Sequence, residues 1–182
     1  MQFPIHTIAT APEASRETLR GVQASLGMIP NLAAGMAESP SLVQAFFAVR
    51  DLYARSSLSA ADIQVLSLAN AYENGCDWCL AFHSFAAEKA GVTRQAIDAL
   101  REGGAPSDPR WLALAGLTRE MIARRGHVSA ETLTAFERAG LGATQALDVV
   151  LGLGFSVMAN YAQHLIGAPL DEVLRRHAKA AA

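Results

Sequence analysis

The strongest constraint on this chain is the pair Asn74-Gly75. Glycine takes positive φ readily and asparagine competes for local backbone hydrogen bonds, so a helix over Ala60–Glu73, N-capped by Ser59, must stop there. A second helix then begins near Cys76 and runs to about Ala90, before Gly91. On it Cys76 and Cys79 are i,i+3, and Cys79 and His83 are i,i+4. Both sulfurs and the imidazole therefore share one face. The first turn of a helix offers unpaired N–H groups and a partial positive charge, which favour a thiolate over a thiol.

Cys-x-x-Cys spacing has three meanings: a dithiol/disulfide redox pair, half of a zinc site, or two small residues that only pack. Structural zinc wants four N or S ligands, and this chain has no third cysteine. His83 with one of His6, His127, His164 or His177 would have to complete the set. The redox pair leads these readings, and spacing alone does not close the choice. His83 taken by itself reads first as a buried histidine bonded to a backbone carbonyl, but its register with Cys79 reverses that in favour of a functional role. Trp78 and Phe82 either shield the site or line a pocket or, as is usual for aromatic residues at helical spacing, belong to the core. His164 and Asn160 are candidates for a neighbouring wall.

The rest of the chain reads as helices. Residues 1–11 look extended. Pro12 and Glu13 open a helix through Leu26, ended by Gly27, and Asn31 caps a short piece to Ala37. From Ser39-Pro40, the apolar positions Leu42, Val43, Phe46, Phe47, Val49, Leu52 and Tyr53 keep a helical period to about Arg55. Further helices are expected over Arg94–Arg101, capped by Thr93, over Trp111–Arg125, and from Ser129 to about Ala139. The long element Ala143–Ile166 is apolar on all sides and predicts a buried helix. Its Gly152 and Gly154 suit either ordinary core or a close approach, within the core or across a subunit interface. Pro169 stops it, and Leu170–His177 adds a turn or two before an Ala-rich tail expected to fray. No strand pattern, repeat or linker emerges. The expectation is a single all-α, multi-helical domain over residues 1–182.

A chain of 182 residues buries about two-thirds of its unfolded surface. With 51% hydrophobic and 18% charged residues, some of the remaining apolar surface is expected in subunit interfaces. A net charge of -2 with dispersed Lys and Arg leaves no basic stripe for nucleic acid and no polybasic patch for a membrane. The first ten residues lack a signal-peptide pattern, and no window is expected to reach the roughly 18 apolar residues of a membrane span. A cytoplasmic location follows as the default, and there a lone Cys-x-x-Cys is more often catalytic or metal-binding than a structural staple.

Cys-x-x-Cys-x-x-x-His after an Asn-Gly helix break, in an all-helical chain of this length, resembles the alkyl hydroperoxidase D-like and carboxymuconolactone decarboxylase-like superfamily. Gly27-Met28-Ile29-Pro30-Asn31, Ser39-Pro40 and Asn160-Tyr161 resemble flanking segments of its peroxidase-related branch. The resemblance implies a helical fold assembled as homotrimers or homohexamers, and a thiol peroxidase that needs no cofactor and no metal. Its substrate would be an organic or hydrogen peroxide and its reductant a dithiol of unknown identity. By position, Cys79 would attack the peroxide, Cys76 would resolve it as a disulfide, and His83 would relay protons.

The superfamily's relay glutamate falls at Gln64, which can hydrogen-bond but cannot take a proton. Glu73 is the nearest substitute carboxylate. Nine residues at 100° each place it opposite Gln64 on a straight helix, so it would have to reach the site from another direction; otherwise it is a solvated helix-end charge. Two other functions remain open: a decarboxylase-like enzyme on small acids or lactones with His83 and Glu73 in acid/base roles, and a non-catalytic redox-sensing or zinc-binding protein.

Overall fold

The computed structural model describes residues 1–178; the expected fraying tail at 179–182 lies outside them. Among the described residues the regular structure is helical throughout. The α-helices are α1 (Glu13–Leu26), α2 (Asn31–Met36), α3 (Pro40–Tyr53), α4 (Ala60–Glu73), α5 (Asp77–Lys89), α6 (Arg94–Arg101), α7 (Pro109–Ala123), α8 (Ala130–Arg138) and α9 (Ala143–Ile166). A 3₁₀ turn, Glu172–His177, follows.

Helix α4 is the axis of the fold and packs on α5, α6, α7 and α9. Every residue from Val65 to Ala71 on it is buried. Its start is fixed by a reciprocal capping box: Ser59 Oγ accepts from the Asp62 N–H at 3.1 Å, and the Asp62 carboxylate accepts from the Ser59 N–H at 3.1 Å. Asp62 is only 1% exposed. Burial pushes its carboxyl up, but the Arg110 fork, donating at 2.9 to 3.2 Å, and the Ser59 bonds outweigh this and hold it below the usual carboxylate value.

Several helix starts follow their caps. Thr93 caps α6, Ser129 caps α8, and Ser39 caps α3 with Pro40 at the first helical position. Helix α7 begins at Pro109, two residues before the expected Trp111, because Asp108 accepts from the N–H groups of Arg110 and Trp111. Asn31 is the first residue of α2 rather than its cap. Its N–H is satisfied from across the sequence by the Asp171 carboxylate at 3.0 Å, and its side chain donates to the Pro169 carbonyl. The N-terminal segment is irregular, with a turn at Ile8–Thr10 stitched by Thr7 and Thr10.

Helix α9 departs most from expectation. It packs on α2, α3, α4, α5 and α7, burying Val149, Gly152, Phe155, Ser156, Ala159, Asn160 and Ala162, but Leu147, Val150, Tyr161 and Leu165 are exposed. It is therefore buried on one side only. By length and composition alone it is also apolar enough to cross a bilayer, contrary to the sequence expectation.

The two glycines of α9 separate cleanly. A Cβ on Gly152 would lie 2.5 Å from the Tyr53 hydroxyl oxygen and 2.6 Å from its ring carbon Cζ, whereas one on Gly154 would meet nothing within 4 Å. The close approach at Gly152 is thus a side chain inside the same fold. Tyr53 is 2% exposed, so its ring would have to shift within the interior to make room. Gly152→Val should therefore cost about 2 kcal/mol through overpacking, read as a lowered Tm in thermal unfolding followed by circular dichroism.

Candidate active site

The connection between α4 and α5 is a Schellman closure. Gly75, at φ +63°, donates its N–H to the Tyr72 carbonyl at 3.0 Å, and the Cys76 N–H reaches the Ala71 carbonyl at 2.9 Å. Only a residue tolerant of left-handed φ closes the turn without strain, which is why glycine stands there. The turn delivers Cys76 as the N-cap of α5, its Sγ accepting from the Cys79 N–H at 3.3 Å. Cys76 and Cys79 are joined in a disulfide, with Cα atoms 5.2 Å apart.

The two sulfurs are not equivalent. Cys76 is fully buried, whereas Cys79, although 1% exposed, lines a cavity of about 370 Å³. His83, one turn further along α5, lines the same cavity and is 8% exposed. Burial pulls its pKa down to about 4, so the imidazole is neutral at physiological pH. Its Nδ1 lies 2.9 Å from Gln64 Oε1. An amide oxygen only accepts, so Nδ1 carries the ring proton and Nε2 keeps its lone pair. Gln64 thus does for the tautomer what a carboxylate would do, without sharing a proton.

Aromatic and aliphatic side chains form the remaining walls. Trp78 and Phe82 stack at 5.5 Å with planes 9° apart, and Phe46 stacks on Phe155 at 4.7 Å. Leu26, Leu32, Phe47, Tyr53 and Ile63 complete them, and Arg50 is the one charged residue of the lining. Its guanidinium lies 4.8 Å over the Phe47 ring and also donates to Asp51. The cavity falls in the size range of small-molecule sites, with apolar walls and few polar groups.

The structure thus brings together Cys79, His83 and Gln64 at the cavity, with Cys76 behind Cys79. Glu73 is not among them. It closes α4 on the side facing α7, where Arg119 lies 3.4 Å from its carboxylate, and it does not line the cavity. The half-turn offset from Gln64 is the physical reason. His164 and Asn160 are not in the wall either. His164 is exposed and stacked on Tyr161, and Asn160 is buried; Phe155 and Ala159 of the same helix take that place. Among the described residues no three His, Cys, Asp or Glu side chains gather as a metal site. The wall residues Phe46, Phe47, Tyr53 and Phe155 read as core in the sequence, since periodicity does not tell a core face from a cavity face.

Residues 40–120, which span α3 to α7, match the model of the carboxymuconolactone decarboxylase family. No curated protein matches the chain. Among solved structures, a peroxidase-related protein from Ralstonia eutropha JMP134, described as an alkylhydroperoxidase AhpD core, superposes with a TM-score of 0.84 at 20% identity, covering 95% of this chain and 93% of that one. A peroxidase-related protein from Silicibacter sp. TM1040 gives 0.79 at 19% identity, over 96% and 92%. A Cys-to-Ala variant of the debrominase Bmp8, in complex with 2,3,4-tribromopyrrole, gives 0.75 at 17% identity, over 97% and 95%. The α4–α5 unit thus lies within the stretch that matches the carboxymuconolactone decarboxylase family model, and the chain shares the fold of the AhpD-core protein over 95% of its length.

Proposed function

We propose that this protein is a dithiol peroxidase that reduces an apolar organic hydroperoxide and is recycled by a dithiol reductant. The observation that carries the reading is the asymmetry of the disulfide: Cys79 faces an apolar cavity beside a neutral His83, while Cys76 is sealed behind it within disulfide reach. In the reduced protein His83 Nε2 takes the Cys79 proton. The thiolate attacks the terminal peroxide oxygen, the O–O bond breaks, and the alkoxide takes a proton to leave as the alcohol. Cys79 is then a sulfenic acid, and the Cys76 thiol displaces water from it to form the disulfide. A dithiol reductant returns two electrons and two protons to the pair, itself ending as a disulfide.

Acidity and access favour different sulfurs. The N-cap position favours the Cys76 thiolate, since the Cys79 N–H points at its sulfur. Substrate reaches only Cys79, so access assigns it the attack and leaves Cys76 the resolving role. The reading is tested by mixing reduced protein with one equivalent of cumene hydroperoxide and following free thiols and remaining peroxide together. Two thiols lost per peroxide consumed, far faster than for free cysteine, is the expected result. Peroxide standing beside two intact thiols would remove the peroxidase reading.

The stacked aromatic walls favour one second reading, reductive dehalogenation of a ring-sized substrate. There the dithiol would supply two electrons, the ring would gain a proton and lose halide, and the pair would again close as a disulfide. Bromide release from a brominated pyrrole, in protein inert to peroxide, would select it.

A further inference from the structure

The cavity has two chemically distinct ends. Cys79 and His83 on α5 are almost fully buried, whereas Arg50 on α3 keeps 30% of its side chain exposed and has exposed lining neighbours in Leu26, Ala54 and Ala60. Helix α3 packs on α1, α2 and α9, and α5 packs on α4, α6 and α9; both line the cavity, on different walls. The reactive sulfur therefore lies at the closed end and the guanidinium at the open one. No Asp, Glu or Lys shares the lining, so Arg50 is the one full charge that a bound molecule meets there.

Arg50 is held in place with donors to spare. Its guanidinium lies 4.8 Å over the Phe47 ring, which steadies it against the wall. Its Nε and Nη2 both donate to one oxygen of Asp51, at 2.9 and 2.7 Å, and among the described residues Nη1 has no acceptor. Asp51 is itself 54% exposed and does not line the cavity. An exposed ion pair of this kind contributes little, so it does not prevent the guanidinium from taking a second carboxylate on its remaining N–H groups. We infer that the substrate is a carboxylic acid, its carboxylate held by Arg50 at the mouth, its apolar body between the stacked aromatic walls and its hydroperoxide at Cys79. This rests on the peroxidase reading and narrows it. A carboxylate at the mouth keeps part of its hydration, so placing it there costs less than placing it beside the buried sulfur. With the acid end pinned outside, the end that reaches Cys79 is the one carrying the O–O bond. The reaction is otherwise the same, and the alcohol leaves with its carboxylate intact. An ammonium compound would meet the like charge of Arg50 and no carboxylate to offset it, so the same residue rejects amines.

Binding and turnover test this separately. Isothermal titration calorimetry of the disulfide form with 4-isopropylbenzoate and with decanoate, each beside its neutral amide, needs no reaction. At least one acid should bind about 10-fold tighter than its amide, the scale of a charge-assisted hydrogen bond to a partly exposed group. Arg50→Gln should bring that ratio close to one, and Arg50→Lys should keep part of it. Asp51→Asn, which removes the competing carboxylate, should raise it. Arg55→Gln, at an exposed arginine outside the lining, should leave it as in the wild type. In turnover, 4-(2-hydroperoxypropan-2-yl)benzoate should exceed cumene hydroperoxide in kcat/KM by a similar factor, carried by KM. No binding of either acid, equal binding of acid and amide in the wild type, or an acid preference that survives in Arg50→Gln overturns the assignment, even where cumene hydroperoxide is consumed. An acid preference that depends on Arg50, in protein inert to both hydroperoxides, upholds the carboxylate site and removes the peroxidase reading instead.

Discussion

Cys79→Ser protein should consume no peroxide above background, a loss of at least about 10³-fold, the scale on which removing a nucleophile acts. Cys76→Ser protein should instead oxidise once per chain and stop. The difference follows from placement. Cys79 is the sulfur that lines the cavity, and a serine hydroxyl there has neither the acidity nor the polarisability to break an O–O bond. Cys76 is buried and does not line the cavity, so on the proposed cycle its loss should leave the first step intact and remove only the thiol that expels water from the sulfenic acid. The check is mass spectrometry of both variants after one equivalent of hydroperoxide and a sulfenic-acid trap. One adduct on Cys79 in the Cys76→Ser protein and none in the other variant is the expected pair of results. An adduct on Cys76 in the Cys79→Ser protein, with none in its counterpart, would exchange the two roles. It would mean that the N-cap acidity of Cys76 outweighs the access of Cys79.

Much of the scaffold was readable because it rests on local chemistry. Ser39, Ser59, Thr93 and Ser129 cap as their side chains require, and the Asn74-Gly75 break follows from the left-handed φ that Gly75 adopts. The separation of Gln64 from Glu73 was likewise implicit in the helical angle. The structure adds the partner, Arg119, that draws Glu73 toward α7. What stayed hidden depends on distant contacts. Asn31 bonds to Asp171, 140 residues away, and no local rule anticipates that. Helix α9 looked buried all round because an apolar sequence says nothing about how many faces have neighbours. Trp78 and Phe82 pack against the core and line the cavity at once, so a choice between core and pocket had no single answer for them.

His83→Ala should lower kcat/KM for hydroperoxide by about 10²- to 10³-fold, the usual contribution of a positioned general base. Gln64→Glu should change its pH dependence instead. In the wild type His83 has a pKa near 4 because burial disfavours the imidazolium and Gln64 supplies no charge to compensate. The base is therefore available above about pH 4, and the acid limb of the rate should fall there. A carboxylate at position 64, within hydrogen-bond reach of Nδ1, stabilises the imidazolium and raises that pKa, moving the acid limb toward neutrality. The stronger base draws the Cys79 proton more readily above the limb, so turnover near pH 8 should rise while turnover near pH 5 falls. Stability follows the same linkage. Unfolded His83 titrates near 6.5, above its folded value, so the unfolded state binds the proton first as pH drops. The wild type should lose up to about 3 kcal/mol between pH 6.5 and 4 from this group, a loss that His83→Ala removes and Gln64→Glu reduces. Rate profiles and denaturant midpoints from pH 4 to 8 measure both effects on the same three proteins. A Gln64→Glu acid limb unmoved from that of the wild type would show that His83 does not set the proton balance of the site, and the base would then have to be sought elsewhere in the cavity.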